Sequence, residues 1–249
     1  MEKTVVNGLV IKQINYGEAD RILHIFTHEL GIVSALAKGA RKYKSHQGGA
    51  AQLLYYCQFT LATGKNMYSL QGASVLESFF DLSYDIEKLA LCNYLFDITA
   101  AFVQEQLPDR PTLSLLLNTL YILKSKQRPL PLVKAVYELK LLSLSGFHAG
   151  CNVCCNCGAY GPPAAFLCSA GGVVCGECAT PDAAALTPAT LAALRYILAE
   201  DADKIFSFSL PEEALAQLAA ISEKFLLYHA EKNFSSLTYY KQMIDETTV

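Results

Sequence analysis

Cys154, Cys157, Cys175 and Cys178 stand as two C-x2-C pairs separated by seventeen residues. Paired knuckles at that separation can bring four sulfur atoms to the corners of a tetrahedral thiolate shell, the closed shell of a structural Zn²⁺; a cluster of buried or redox-active thiols is the competing reading. Such a metal holds a fold together and leaves no position open for a catalytic water. Cys154 and Cys157 are preferred for the first knuckle because Gly158 follows Cys157 and Gly176 follows Cys175. Glycine permits the tight turn that aims amides at sulfur. Cys151 and Cys155 flank the first knuckle and Cys168 lies inside the spacer, so each stays open as a substitute ligand. A thioredoxin-like centre would use one C-x2-C at the start of a helix in a βαβ unit, which these flanks do not resemble.

The rest of the chain divides by periodicity. Val5 to Ile14, Ile22 to His28, Ile32 to Ala37, Leu54 to Ala62 and Met67 to Leu76 are runs of branched and aromatic residues, separated by glycine-containing turn signals. Five short strands with such turns predict a small barrel over residues 1–80, OB-like or SH3-like. From Ser83 the period becomes helical. Helices are expected over Tyr84 to Leu107, with Ser83 as cap, over Thr112 to Lys126, and over Leu132 to Ser145 between Pro131 and Gly146. A fourth is expected from Thr187-Pro188 to Ala199, and a longer one to about Lys232 behind a Ser209-x-x-Glu212 capping box. The expected division is a barrel at 1–80, a helical domain at 81–150 and 181–249, and a zinc module at 151–180 inserted between its parts. The fold class is α+β.

The chain's 249 residues carry a net charge of −3, unevenly spread. Residues 1–80 hold eight Lys/Arg against five Asp/Glu, while the remainder holds twelve against eighteen. No acidic residue falls between Glu29 and Glu77, a window that contains Lys38, Arg41, Lys42, Lys44 and Lys65. Each phosphate contact gains from counterion release and a neighbouring carboxylate would cancel it, so this window suits a polyanion. Within it, LAKGARKYKSHQGG from Leu36 to Gly49 combines cations with glycines that allow close backbone approach, and Tyr43 is placed to stack on a base. Tyr55, Tyr56, Phe59 and Tyr68 are candidates for an extended stacking platform, less those that alternation turns into the barrel. A solvated loop is the competing reading of the same charges.

Several functions are excluded on pattern. The chain has no GxxxxGK loop, no GxGxxG after a strand, no HExxH and no GxSxG elbow. Val174 before Cys175 departs from the Pro-Cys-x-x-Cys of zinc deaminases. His24 and His28 share a face if both lie on one strand, and read as strand histidines before they read as a metal pair; Cys57 and Cys92 read as core. The most apolar stretch, Leu89 to Val103, is interrupted by Asn93 and Asp97, so no membrane span is expected. With no secretory leader and nine cysteines around a metal array, the expected compartment is the reducing cytoplasm.

In order along the chain stand Gly8-Leu-Val-Ile, Tyr16-Gly-Glu-Ala-Asp-Arg21, Thr27-His-Glu-Leu-Gly31, Ala37-Lys-Gly-Ala-Arg41, Gly146-Phe147, Cys154-x-x-Cys157-Gly158, Phe166, Gly171-Gly172 and Cys175-x-x-Cys178. With these motifs the sequence resembles the RecO family of bacterial DNA repair proteins. The resemblance implies an OB-fold followed by a helical domain with a zinc module, and a nucleoid-associated protein. It also implies binding to single- and double-stranded DNA, annealing of complementary strands, and work with RecR to load RecA onto strands coated by single-stranded-DNA-binding protein. Lys38 and Arg41, with Arg21, would then face DNA. The acidic tail of the single-stranded-DNA-binding protein would dock on the helical domain, with Arg110, Lys124, Arg128 and Lys134 as candidate rim cations. The chain departs from the family pattern after Phe147, with Ala149 and Cys151 where proline and leucine are usual. The competing function is a zinc-stabilised protein-interaction scaffold without functional DNA contact; a thiol oxidoreductase is a third.

Overall fold

The computed structural model of the chain describes residues 2–42, 52–125, 128–201 and 204–247. Its first part is a closed barrel of β1 (Lys3–Tyr16), β2 (Asp20–Thr27), β3 (Gly31–Ala37), β4 (Tyr55–Ala62) and β5 (Tyr68–Ser78) in the order β1-β2-β3-β5-β4. Closure depends on β1, which at fourteen residues is long enough to pair with β4 through Lys3–Leu9 and with β2 through Gly8–Tyr16. Register shifts at Val10/Lys12 in β1 and opposite Tyr56/Cys57 and Thr60/Leu61 in β4 let the strands curl. The remaining seam is short: β3 and β5 run parallel and meet only at Ala35↔Tyr68 and Leu36↔Ser69.

Strict alternation fills the barrel. Val6, Val10, Leu23, Ile25, Val33, Phe59, Leu61 and Leu70 form its core together with Cys57, whose thiol burial pushes up to about 11. The five strands fall within a few residues of their sequence-based bounds, and the barrel is the OB-like one expected. One end was read too far: β2 stops at Thr27, so His28 lies in the turn beside Glu29 and shares no strand face with His24.

Helices α1 (Ile86–Phe102), α2 (Arg110–Ser125), α3 (Leu130–Leu144), α4 (Pro188–Ala199), α5 (Glu212–Ala230) and α6 (Ser235–Thr247) follow. Asp85, not Ser83, caps α1, its carboxylate accepting the Lys88 amide at 3.1 Å. The apolar period of α1 runs on to Leu107, yet the helix ends at Phe102. Glu105 instead forms a parallel bridge with Ile32, and the Gln106 amide donates to the Ile32 carbonyl at 3.1 Å. The predicted capping box before α5 is absent, with Pro211 at the cap and no side-chain bond. Thr187 does cap α4, accepting the Thr190 amide.

The chain forms two compact units, Met1–Lys124 with Ser235–Val249, and Ser125–Phe234. In the first, α6 returns to pack on α1, burying Leu237 and Tyr240. In the second, α3 packs on α5, and a three-stranded sheet of β7 (Gly172–Val174), β6 (Ala165–Leu167) and β8 (Ala184–Ala185) carries the cysteine knuckles. Among the described residues no helix is long and apolar enough to cross a membrane.

Candidate metal centre and nucleic-acid interface

The sulfur atoms of Cys154, Cys157, Cys175 and Cys178 lie within 4.8 Å of one another. Around zinc at a Zn–S distance of about 2.3 Å, tetrahedral sulfurs would stand about 3.8 Å apart. The Cys157 and Cys175 sulfurs are 3.8 Å apart, so the donor set fits a four-thiolate metal. Two short loops make the fit. The Gly158 amide closes the first on the Cys154 carbonyl at 2.8 Å with Gly158 at φ +72°, a conformation that favours glycine; the Cys178 amide closes the second on the Cys175 carbonyl at 3.1 Å. Gly176 has no positive φ, so the second turn does not require the glycine that the sequence offered there.

The electrostatics suit a cation. Amides of Cys157 and Cys175 hold the Cys154 thiol down to about 6, the latter donating at 3.4 Å. Cys178, hydrogen-bonded to Cys157, is pushed up to about 12. The Cys154 thiolate is thus stabilised locally while Cys157 and Cys178 resist a second negative charge, a conflict that a divalent cation removes. Cys151, Cys155 and Cys168 stand outside the cluster. Burial pushes the Cys151 thiol up to about 11, and Cys155 Sγ faces the Gly150 carbonyl at 3.5 Å. The Cys151 carbonyl accepts from Arg195 Nε at 3.0 Å, and Gly150 bridges Gly172, which holds the backbone around the Ala149 and Cys151 departures. Phe166 of β6 packs edge-on against Phe225 of α5 at 5.3 Å, and Phe147 stacks on His229 at 4.4 Å.

On the barrel, two separate sequence motifs turn out to be one structural unit. The Asp20 carboxylate accepts the Gly39 amide at 2.7 Å, the Arg41 amide donates to the Ala19 carbonyl at 3.0 Å, and the Arg41 guanidinium donates to the Gly17 carbonyl at 3.2 Å. The loop after β3 is thereby fastened to the β1–β2 turn, with Lys38, Arg41 and Lys42 exposed on it. Arg21, cross-strand from Ala37, is half-buried at the same end, and its Nε is buried with no hydrogen-bond partner among the described residues. Lys65 stands apart on the β4–β5 turn, beside Val33 and Ser34. Lys44 and Tyr43 lie outside the described residues.

The expected stacking platform is mostly core. Phe59 is fully buried, Tyr55 and Tyr68 pack against the barrel interior, and only Tyr56 of the four points elsewhere. Of the candidate rim cations, Lys124 is bound to Glu77 at 2.8 Å, Arg128 to the Phe208 carbonyl at 3.3 Å, and Lys134 is buried against Glu138 and Glu223; Arg110 is exposed. What sequence reading missed is a row across the barrel's outer face, Lys12↔His24↔Ser34. Burial and Lys12 lower the His24 pKa against the pull of Glu105. Lys12 lay outside the acid-free window, and Glu105 reaches this face only through tertiary structure.

A five-stranded OB-like barrel joined to helices that carry a four-thiol knuckle defines a narrow class of chain. Residues 1–79 match the family described as Recombination protein O N terminal, and residues 83–238 match Recombination protein O C terminal. The chain is 37% identical to the DNA repair protein RecO of Acetivibrio thermocellus, over 95% of its own length and 96% of the relative's. It is 30% identical to that of Caldicellulosiruptor saccharolyticus, over 94% and 96%, and 32% identical to that of Rubrobacter xylanophilus, over 85% and 87%. The chain belongs to the RecO family of DNA repair proteins.

Proposed function

We propose that this RecO-family chain is a non-enzymatic recombination mediator. It binds single- and double-stranded DNA on the barrel, promotes annealing of complementary strands without nucleotide hydrolysis, and acts with RecR to load RecA onto strands coated by single-stranded-DNA-binding protein. The metal of the four-thiolate site is zinc, and its role is structural. The observation that carries the reading is the fastened cationic loop: three exposed cations, Lys38, Arg41 and Lys42, are held at one end of an OB-like barrel by backbone and carboxylate bonds. Preorganised cations lose little entropy on meeting phosphate, and the barrel type is one that takes oligonucleotides.

Lys38→Ala combined with Lys42→Ala is expected to weaken single-stranded DNA binding alike across sequences, and to reduce the log–log salt slope by about 0.7 for each phosphate that is no longer neutralised. Fluorescence anisotropy over a salt series measures both. Unchanged affinity and slope would leave the scaffold reading, which the net charge of −3 favours. Asp20→Ala gives a sharper sign. Loss of a carboxylate beside a DNA site should strengthen binding by charge alone, whereas loss of the bond to Gly39 should loosen the loop and weaken binding about three- to tenfold. We expect the weakening; a gain in affinity would refute the positioning role of Asp20.

A further inference from the structure

We propose that the cavity between the β4–β5 turn and the segment that follows α1 is a subsite for one unpaired, amino-bearing nucleobase of single-stranded DNA. The inference rests on the DNA-binding reading and adds base discrimination to it. The cavity has a volume of about 310 Å³, at the small end of ligand clefts. Its walls are Val33 and Ser34 of β3, the turn around Lys65 and Asn66, and the pair Glu105 and Gln106.

Those walls are held in place before any ligand arrives. Gly31, at φ +69°, lies so close under the Leu107 backbone that any side chain there would collide with it. Gln106 occupies the left-handed region at φ +58°, an uncommon conformation for a residue with a side chain, and is kept there by its bond to Ile32. A segment that the apolar period would have made helix is thereby pinned across the end of β3 where β5 no longer pairs.

The chemistry of the lining separates base from phosphate. Glu105 is exposed at the cavity, and its charge reaches His24 on the outer face of β2. A carboxylate repels a phosphodiester but accepts hydrogen bonds from an exocyclic amino group, as in its pairing with cytosine N4. Lys65, exposed on the opposite wall, is placed to hold the neighbouring phosphate. Barrels of this kind take oligonucleotides on the β2–β3 face and the β4–β5 loop, where these walls meet. Thymine has no exocyclic amine to offer Glu105. A base stacked in a duplex cannot enter.

The test is anisotropy of the full chain with labelled dC and dT homopolymers of equal length. The wild-type chain is expected to bind oligo-dC about fivefold or more tighter than oligo-dT, the low end for a single specific contact. Glu105→Ala should erase that ratio by weakening dC while leaving dT equal or tighter. Lys65→Ala should weaken both alike. Equal wild-type affinity for dC and dT, or a Glu105→Ala variant that tightens both by the same factor, would overturn the subsite while leaving DNA binding intact. Failure of the wild-type chain to bind either would overturn the DNA-binding reading, and the subsite with it.

Discussion

Cys175→Ser is expected to abolish metal retention by the purified chain and to lower its thermal midpoint by on the order of 10 °C. On its knuckle face the sheet has little else to hold it. The buried core there amounts to Cys154, Ala165, Leu167 and Val174, and two of its strands are three residues long. Ordering each backbone residue costs about 1–2 kcal/mol, far more than so small a core returns across the span from Cys151 to Ala185. The Phe166–Phe225 contact ties the sheet to α5, so its collapse should also loosen the helical packing there. The Cys175 amide, which bonds Cys154 Sγ, survives the substitution, so the variant isolates the missing thiolate. Metal content by elemental analysis, read beside a melting curve, decides the matter. A variant that keeps its metal and its midpoint would refute the four-thiolate site. A stoichiometric metal other than zinc would refute the zinc assignment alone.

Legibility followed the range of the interaction. The barrel strands were readable because alternation and glycine turns are local, and Val6, Val10, Leu23 and Ile25 sit inside as alternation requires. The knuckles were readable because metal spacing is local too. The end of α1 was not, since Glu105 and Gln106 leave a helical period to meet Ile32, more than seventy residues earlier. Helix α6 was missed because it is poor in apolar residues overall, although Leu237, Tyr240 and Ile244 recur at helical spacing and Leu237 and Tyr240 are buried. The loop after β3 was legible as charge, while its fastening by Asp20, nineteen residues away, was not.

Lys134 shows the same limit with the largest energetic consequence. Its position on a helix suggests a surface cation, yet its ammonium lies 2.8 Å from Glu138 and 2.9 Å from Glu223, with the Lys134 side chain 5% exposed and that of Glu138 fully buried. Burial pulls the Lys134 pKa down, but the two carboxylates outweigh it and leave it raised, so the group is charged. Glu138 also accepts the Ser222 hydroxyl at 2.6 Å, which joins α3 to α5 through one polar network. Removing one member leaves a buried charge without its counterion, at a cost of about 3–5 kcal/mol. Lys134→Ala is therefore expected to lower stability by that amount in urea unfolding. Lys134→Met combined with Glu138→Leu should recover most of the loss, because apolar replacement of a whole buried pair is often neutral. In the double variant Glu223, at 19% exposure, can turn its carboxylate to water, and Ser222 keeps its bond to the Ala219 carbonyl. If Lys134→Ala unfolds at the same urea concentration as the parent, the network contributes nothing to the α3–α5 packing. If the double variant is no more stable than Lys134→Ala alone, the stranded Glu138 carboxylate does not account for the destabilisation, because the double variant removes that charge and refills the space of the lysine stem.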